Sequence, residues 1–140
     1  MPFKKILLAI DDSKYSRRGL DLVAKIAGEA KTPVVLVHVL TPVTGRIPTK
    51  QREELMRELV EEARQEHASY RAVLEELGLT VSFVTPEGEP SDEILLTAKQ
   101  ENCDLIVIGA RRHGNIGGLL LGSVTHQILY RAEVSVLVAR

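Results

Sequence analysis

Five short apolar runs, rich in β-branched residues, alternate along the chain with longer stretches of helical periodicity, and no other feature limits the fold so tightly. The runs cover residues 6–10, 34–39, 80–85, 105–108 and 134–138. Three of them are nearly continuous apolar segments, as expected for strands covered on both faces. The third run, Val81-Ser82-Phe83-Val84, alternates more and predicts an edge strand.

Between the runs lie four helical patterns. Leu20, Val23, Ala24 and Ala27 share one face, with Asp12 or Ser13 as the expected N-cap. Leu55, Leu59, Ala63, Tyr70, Leu74 and Leu77 mark a long second helix that Gly78 can end. The Arg and Glu residues between them, His67 among the polar positions, read as a solvated surface with some i,i+4 pairs. Pro90 suits the first turn of a third helix. Ser91, Asp92 and Glu93 then put acid at its positive end, before the apolar Ile94, Leu95 and Ala98. A fourth helix is predicted over 123–131, burying Val124, Ile128 and Leu129. Helical crossovers between successive strands give a parallel sheet with helices on both faces.

Residues 1–140 are read as a single domain, and the 44% hydrophobic and 26% charged residues suit one with a real core. A net charge of −1 lacks the positive field that recruits nucleic-acid phosphates. The absence of Trp, with two Phe and three Tyr, leaves no stacking platform for single-stranded bases. No run approaches the roughly 18 apolar residues of a membrane span. Cys103, the single cysteine, has no internal disulfide partner, so a reducing, cytoplasmic setting and a core role are expected for it.

In open α/β sheets, ligands bind beyond the carboxyl ends of the strands, where strand order reverses. Two strand ends are distinctive. Ile10 runs into Asp11-Asp12-Ser13, and Ile108 runs into the glycine-rich segment 109–123. Glycines let backbone approach a ligand and accept positive φ. Gly122-Ser123 opens a helix whose free N–H groups and positive dipole end favour an anion. These features describe a phosphate cradle, although glycines needed only for a tight turn would look the same. No lysine precedes Ser123, so the segment is not a Walker A loop. The Pro/Gly-punctuated connection over 41–49 is either a cover for this site or a plain surface loop.

At these residues the sequence resembles the universal stress protein family. The likeness is carried by ILLAIDDS, VHV, EGEPSDEIL, DLIVIGA and LLLGSVTHQIL…VSVLVAR, in order and across essentially the whole chain. It implies an open five-stranded parallel sheet in order 3-2-1-4-5, a Rossmann-like architecture of the adenine nucleotide alpha hydrolase type. It also implies ATP as ligand, with or without a divalent cation, held by a loop of pattern G-x2-G-x9-G-[ST]. Carried over, that pattern places Gly109 first and Gly122-Ser123 last, with Val124 following, and its middle glycine falls on Arg112. By the same likeness Asp11 contacts the ribose, and the backbone of Val39 and Ile108 borders the adenine. Arg112 departs from the pattern: it either strains the loop or supplies a guanidinium to a phosphate.

His113, in the loop, is read as a phosphate neighbour or an exposed side chain, His38 as a partly buried packing residue, and His67 and His126 as surface. No histidine pair has metal-ligand spacing, and Ser123 has no evident base, so the expectation is a non-enzyme. A nucleotide-binding regulatory homodimer leads; a ligand-free scaffold of the same fold follows. A nucleotidyl transferase or an electron-transfer flavoprotein is weaker. The expected dimer contact is the last strand, an edge bearing Val134, Val136 and Val138.

Overall fold

The computed structural model describes residues 3–11, 13–42, 45–110 and 121–140. Strands and helices alternate as the periodicity predicts: β1 (Ile6–Ala9), α1 (Lys14–Ala27), β2 (Val34–Val37), α2 (Thr49–Glu76), β3 (Val81–Val84), α3 (Pro90–Gln100), β4 (Leu105–Gly109), α4 (Ser123–Arg131) and β5 (Ser135–Ala139). The strands form one parallel sheet in the order β3-β2-β1-β4-β5. As expected, β3 lies at an edge, and β5 occupies the other.

Period-two alternation divides the central strands between two cores. Ile6, Leu8, Val34, Leu36, Leu105 and Val107 face one side with Leu20, Val23, Tyr70 and Leu74 of α1 and α2. Leu7, Ala9, Val35, Val37, Ile106 and Ile108 face the other, with Ile94 and Ala98 of α3 and Ile128 of α4. Cys103 is buried on this second side. The register, with Leu7 opposite both Val35 and Ile106, keeps each set in one layer.

The helix ends follow local chemistry. Ser13 is the N-cap of α1, its Oγ accepting the Ser16 N–H at 3.3 Å. Glu89 caps α3, accepting N–H bonds from Ser91 at 3.2 Å and Asp92 at 2.9 Å, with Pro90 in the first turn. The Ser91 hydroxyl bond, then these N–H bonds, hold the Glu89 carboxyl below its ordinary range despite its partial desolvation. Gly78, at φ +81°, follows the end of α2 in a left-handed conformation that favours glycine.

Three expectations need correction. His67 is buried, not on the surface: it continues the stripe Ala63, Tyr70, Leu74, and its ring stacks on Phe83 with centroids 3.4 Å apart. Leu129 is 41% exposed, because α4 buries Thr125 and Ile128 and the next position turns about 100° away. Leu55 and Leu77 are also largely exposed, since only the stretch of α2 from Ala63 to Leu74 covers the sheet. His38 is partly buried and His126 exposed, as read from the sequence. No helix among the described residues is long and apolar enough to cross a membrane.

Candidate functional site

β1 has β2 on one side and β4 on the other, so the connections leaving the carboxyl ends of β1 and β4 diverge to opposite faces. A cavity of about 320 Å³ opens there. Its floor comes from the strand ends, through Ala9, Ile10, Val37, Val39 and Ile108. β2 and β3 keep pairing past their regular strands: the His38 N–H donates to Val84 O at 3.0 Å, and Leu40 exchanges bonds with Pro86 O and Gly88 N–H at 2.8 and 3.0 Å. That extension brings Val39 and Leu40 up to the cavity rim.

Asp11 stands at the mouth on the turn into α1. Its carboxylate accepts the Ser13 N–H at 2.8 Å, and its own N–H donates to Ser16 Oγ at 3.2 Å. The turn is thus fixed from both sides before any ligand arrives.

Gly109 forms the β4 side of the cavity wall. A Cβ on it would lie 2.6 Å from Tyr15 Cβ, 2.9 Å from Tyr15 C and 3.1 Å from Ser16 N. Glycine is therefore required by the approach of the first turn of α1, and not by positive φ, which belongs among the described glycines to Gly45, Gly78 and Gly88. Thr125 ties the two ends of this wall together, its hydroxyl donating to Gly109 O at 2.8 Å. Gly122, at φ −62°, is the N-cap of α4 and carries no side-chain cap bond. Among the described residues, Gly122 thus gives the first-turn N–H groups of α4 no side-chain cap of the kind Ser13 and Glu89 provide on α1 and α3.

The structure brings together five of the residues singled out by sequence: Asp11, Val39, Ile108, Gly109 and Val124 all line the cavity. Gly122 and Ser123 lie just outside that lining, at the start of α4. Arg112 and His113 fall outside the described residues, as does Asp12. Sequence reasoning missed Thr125, which a hydroxyl in the first turn after Gly-Ser could have flagged. It also missed Leu59, Glu62, Ala63 and Glu66, which supply a wall from α2. Their spacing puts them on one helix face, but the two glutamates read as solvated charge.

The site is apolar at its floor, carries carboxylates at Asp11, Glu62 and Glu66, and has backbone donors at α4. Such a lining suits a small ligand with a flat apolar part and hydroxyl or anionic groups. Among the described residues no group of three His, Cys, Asp or Glu side chains could hold a metal ion.

Known proteins agree with this architecture. The universal stress protein YxiE of Bacillus subtilis is 31% identical, the match covering 99% of both chains. The solved structure of MJ0577, a Methanocaldococcus jannaschii universal stress protein, superposes with TM-score 0.84 at 28% identity, over 99% of this chain and 96% of that one. An Archaeoglobus fulgidus universal stress protein solved with dAMP has TM-score 0.73 at 24% identity, both chains being covered in full. A universal stress protein solved in complex with cAMP has TM-score 0.66 at 22% identity, over 99% of this chain and 97% of that one. The family model for universal stress proteins matches residues 2–140. With the five strands in the family's order and nearly every residue inside the match, this chain belongs to the universal stress protein family.

Proposed function

We propose that the chain binds an adenine nucleotide, ATP in the first instance, in the cavity between the β1 and β4 ends, and acts as a regulatory module without fast catalysis. The observation that carries this reading is the joining, in one cavity, of an apolar slot at Val39 and Ile108, the prefixed Asp11 carboxylate and the start of α4. The slot offers a place for a purine and the carboxylate an acceptor for ribose hydroxyls. The first-turn N–H groups of α4, beside Ser123, favour phosphate. At about 320 Å³ the cavity is near the lower end for small-ligand pockets, roughly 300–1,000 Å³. It suits the nucleoside part, with phosphates extending toward Gly122 and Ser123. A divalent cation would enter with the phosphates, as Mg²⁺ commonly does. The dAMP and cAMP complexes of the two structural neighbours are consistent with this reading, although at their identities the likeness speaks for the fold.

Titration calorimetry with Mg-ATP tests the proposal on wild type and on Arg112→Gly. Binding by wild type is expected. Tighter binding by the glycine variant identifies strain at Arg112, and weaker binding identifies a phosphate contact. No binding by either protein would leave the ligand-free scaffold as the better reading. Hydrolysis is expected to stay below about 1 s⁻¹, the low end of ordinary enzyme turnover; faster turnover would overturn the regulatory assignment.

A further inference from the structure

Behind the Asp11 turn lies a buried hydroxyl pair that the wall of the cavity does not include. Tyr70 of α2 is fully buried, and its hydroxyl sits 2.7 Å from Oγ of Ser16, itself buried on α1. The same Oγ accepts the Asp11 N–H. Asp11 in turn accepts the Ser13 N–H, and the Ser13 hydroxyl accepts the Ser16 N–H. A continuous set of hydrogen bonds therefore runs from the interior of α2 to the carboxylate at the cavity mouth, closing on itself through the first turn of α1. Arg17 covers the Tyr70 ring at 4.5 Å, and its guanidinium donates to Ser69 Oγ at 2.8 Å.

Packing alone does not call for this hydroxyl. A phenylalanine would fill nearly the same volume, and a buried hydroxyl is costly unless it is paired. Here the partner is a side-chain oxygen that also accepts the Asp11 N–H. Bonds linked in this way reinforce one another in a low-dielectric interior.

We propose that Tyr70 is a positioning residue for the nucleotide site, holding the Asp11 turn through Ser16 so that α2 and the ribose-facing carboxylate keep one fixed relation. This inference rests on the nucleotide reading above. α2 also contributes Leu59, Glu62 and Glu66 to the cavity, so the same helix supplies a wall and is bonded through Ser16 to the Asp11 turn.

The test combines Mg-ATP titration with amide hydrogen exchange at Asp11 and Ser13 in ligand-free protein. The proteins are wild type, Tyr70→Phe, Ser16→Ala and the double variant. Each single change is expected to weaken Mg-ATP binding about three- to tenfold, the loss of one hydrogen bond's net contribution. The double variant should be no weaker than the poorer single, because both changes break one chain of bonds. Exchange at the Asp11 amide should accelerate in Tyr70→Phe. Val81→Ala, at the far end of β3, removes buried methyl groups without touching the chain of bonds and should leave affinity unchanged. If Ser16→Ala does not fold, Tyr70→Phe decides alone. Wild-type affinity, or unchanged Asp11 exchange, in Tyr70→Phe would overturn the inference while leaving the nucleotide reading intact. Equal weakening by Val81→Ala would overturn it too, by showing a general stability effect. A wild-type protein that binds no Mg-ATP sinks the functional reading, and the positioning role with it.

Discussion

Cys103 and His67 show how burial sets the chemistry of single side chains. The Cys103 thiol is pushed up to about 11 by desolvation, so at pH 8 about one thiol in a thousand is ionised. Iodoacetamide is expected to alkylate native protein at pH 8 far more slowly than protein in denaturant, as followed by intact-mass spectrometry. Equal rates would contradict the burial. For His67 the shift is downward, caused first by burial and then by the nearby Arg71, Arg64 and His38 charges. The folded protein therefore resists protonation at a pH where the unfolded chain, near the ordinary value of 6.5, accepts it. Its contribution to stability is full above that value and declines as pH falls below it. His67→Phe keeps a ring against Phe83 and removes the titration. The urea midpoint of wild type should then drop more steeply than that of the variant between pH 7 and 5, and parallel curves would refute the assignment.

Among elements, the contact between β4 and α1 is the tightest that positions the site. Gly109→Ala places a methyl group within 3 Å of Tyr15 backbone and Cβ, and neither can step aside without moving the first turn of α1. A loss of about 1–3 kcal/mol is expected, in the range for overpacking, read by urea denaturation. Gly19→Ala is the contrast. Its Cβ meets Leu8 Cδ1 at 3.0 Å, the tip of a flexible side chain, and helix propensity returns up to about 1 kcal/mol. It should be close to neutral, and equal costs at the two glycines would refute the close approach. Strands and helices were legible because their periods differ: the apolar runs of β1, β2 and β4 could not be long helices, and the alternation in β3 marked an edge. His67 was not legible, although its spacing from Ala63 and Tyr70 was right, because a polar side chain on a charged helix reads as surface. In the site, strand ends pointed to Asp11, Ile108 and Gly109, and the family resemblance added Val39. The α2 wall stayed hidden because only tertiary packing brings Glu62 and Glu66 over the cavity.

For the whole molecule, the proposed assembly turns on β5. Ala139 O accepts the Ala110 N–H, so Ala139 directs its backbone groups toward β4. Alternation along the strand then sends the N–H and C=O of Val136 and Val138 to the free edge. The side chains of Val134, Val136 and Val138 are partly buried against the second core, and Leu129 and Tyr130 are exposed on the preceding helix. We propose a two-fold dimer closed along this edge. Light scattering at tens of micromolar should report a dimer. Val136→Pro should shift it toward monomer while sparing the β4 ladder, because the donor that it removes points outward. A monomeric wild type would sink the proposal.

The cavity joins residue 9 to residue 125, and that wide separation bears on synthesis. A chain emerging from the ribosome can form β1, α1, β2 and α2 early, but the Gly109 wall and the start of α4 come last. Capture of the proposed ligand would therefore wait until most of the polypeptide has left the exit tunnel. On the proposed reading, a nucleotide would stabilise only a chain with all of these parts in place, and a shorter nascent chain would gain nothing from it.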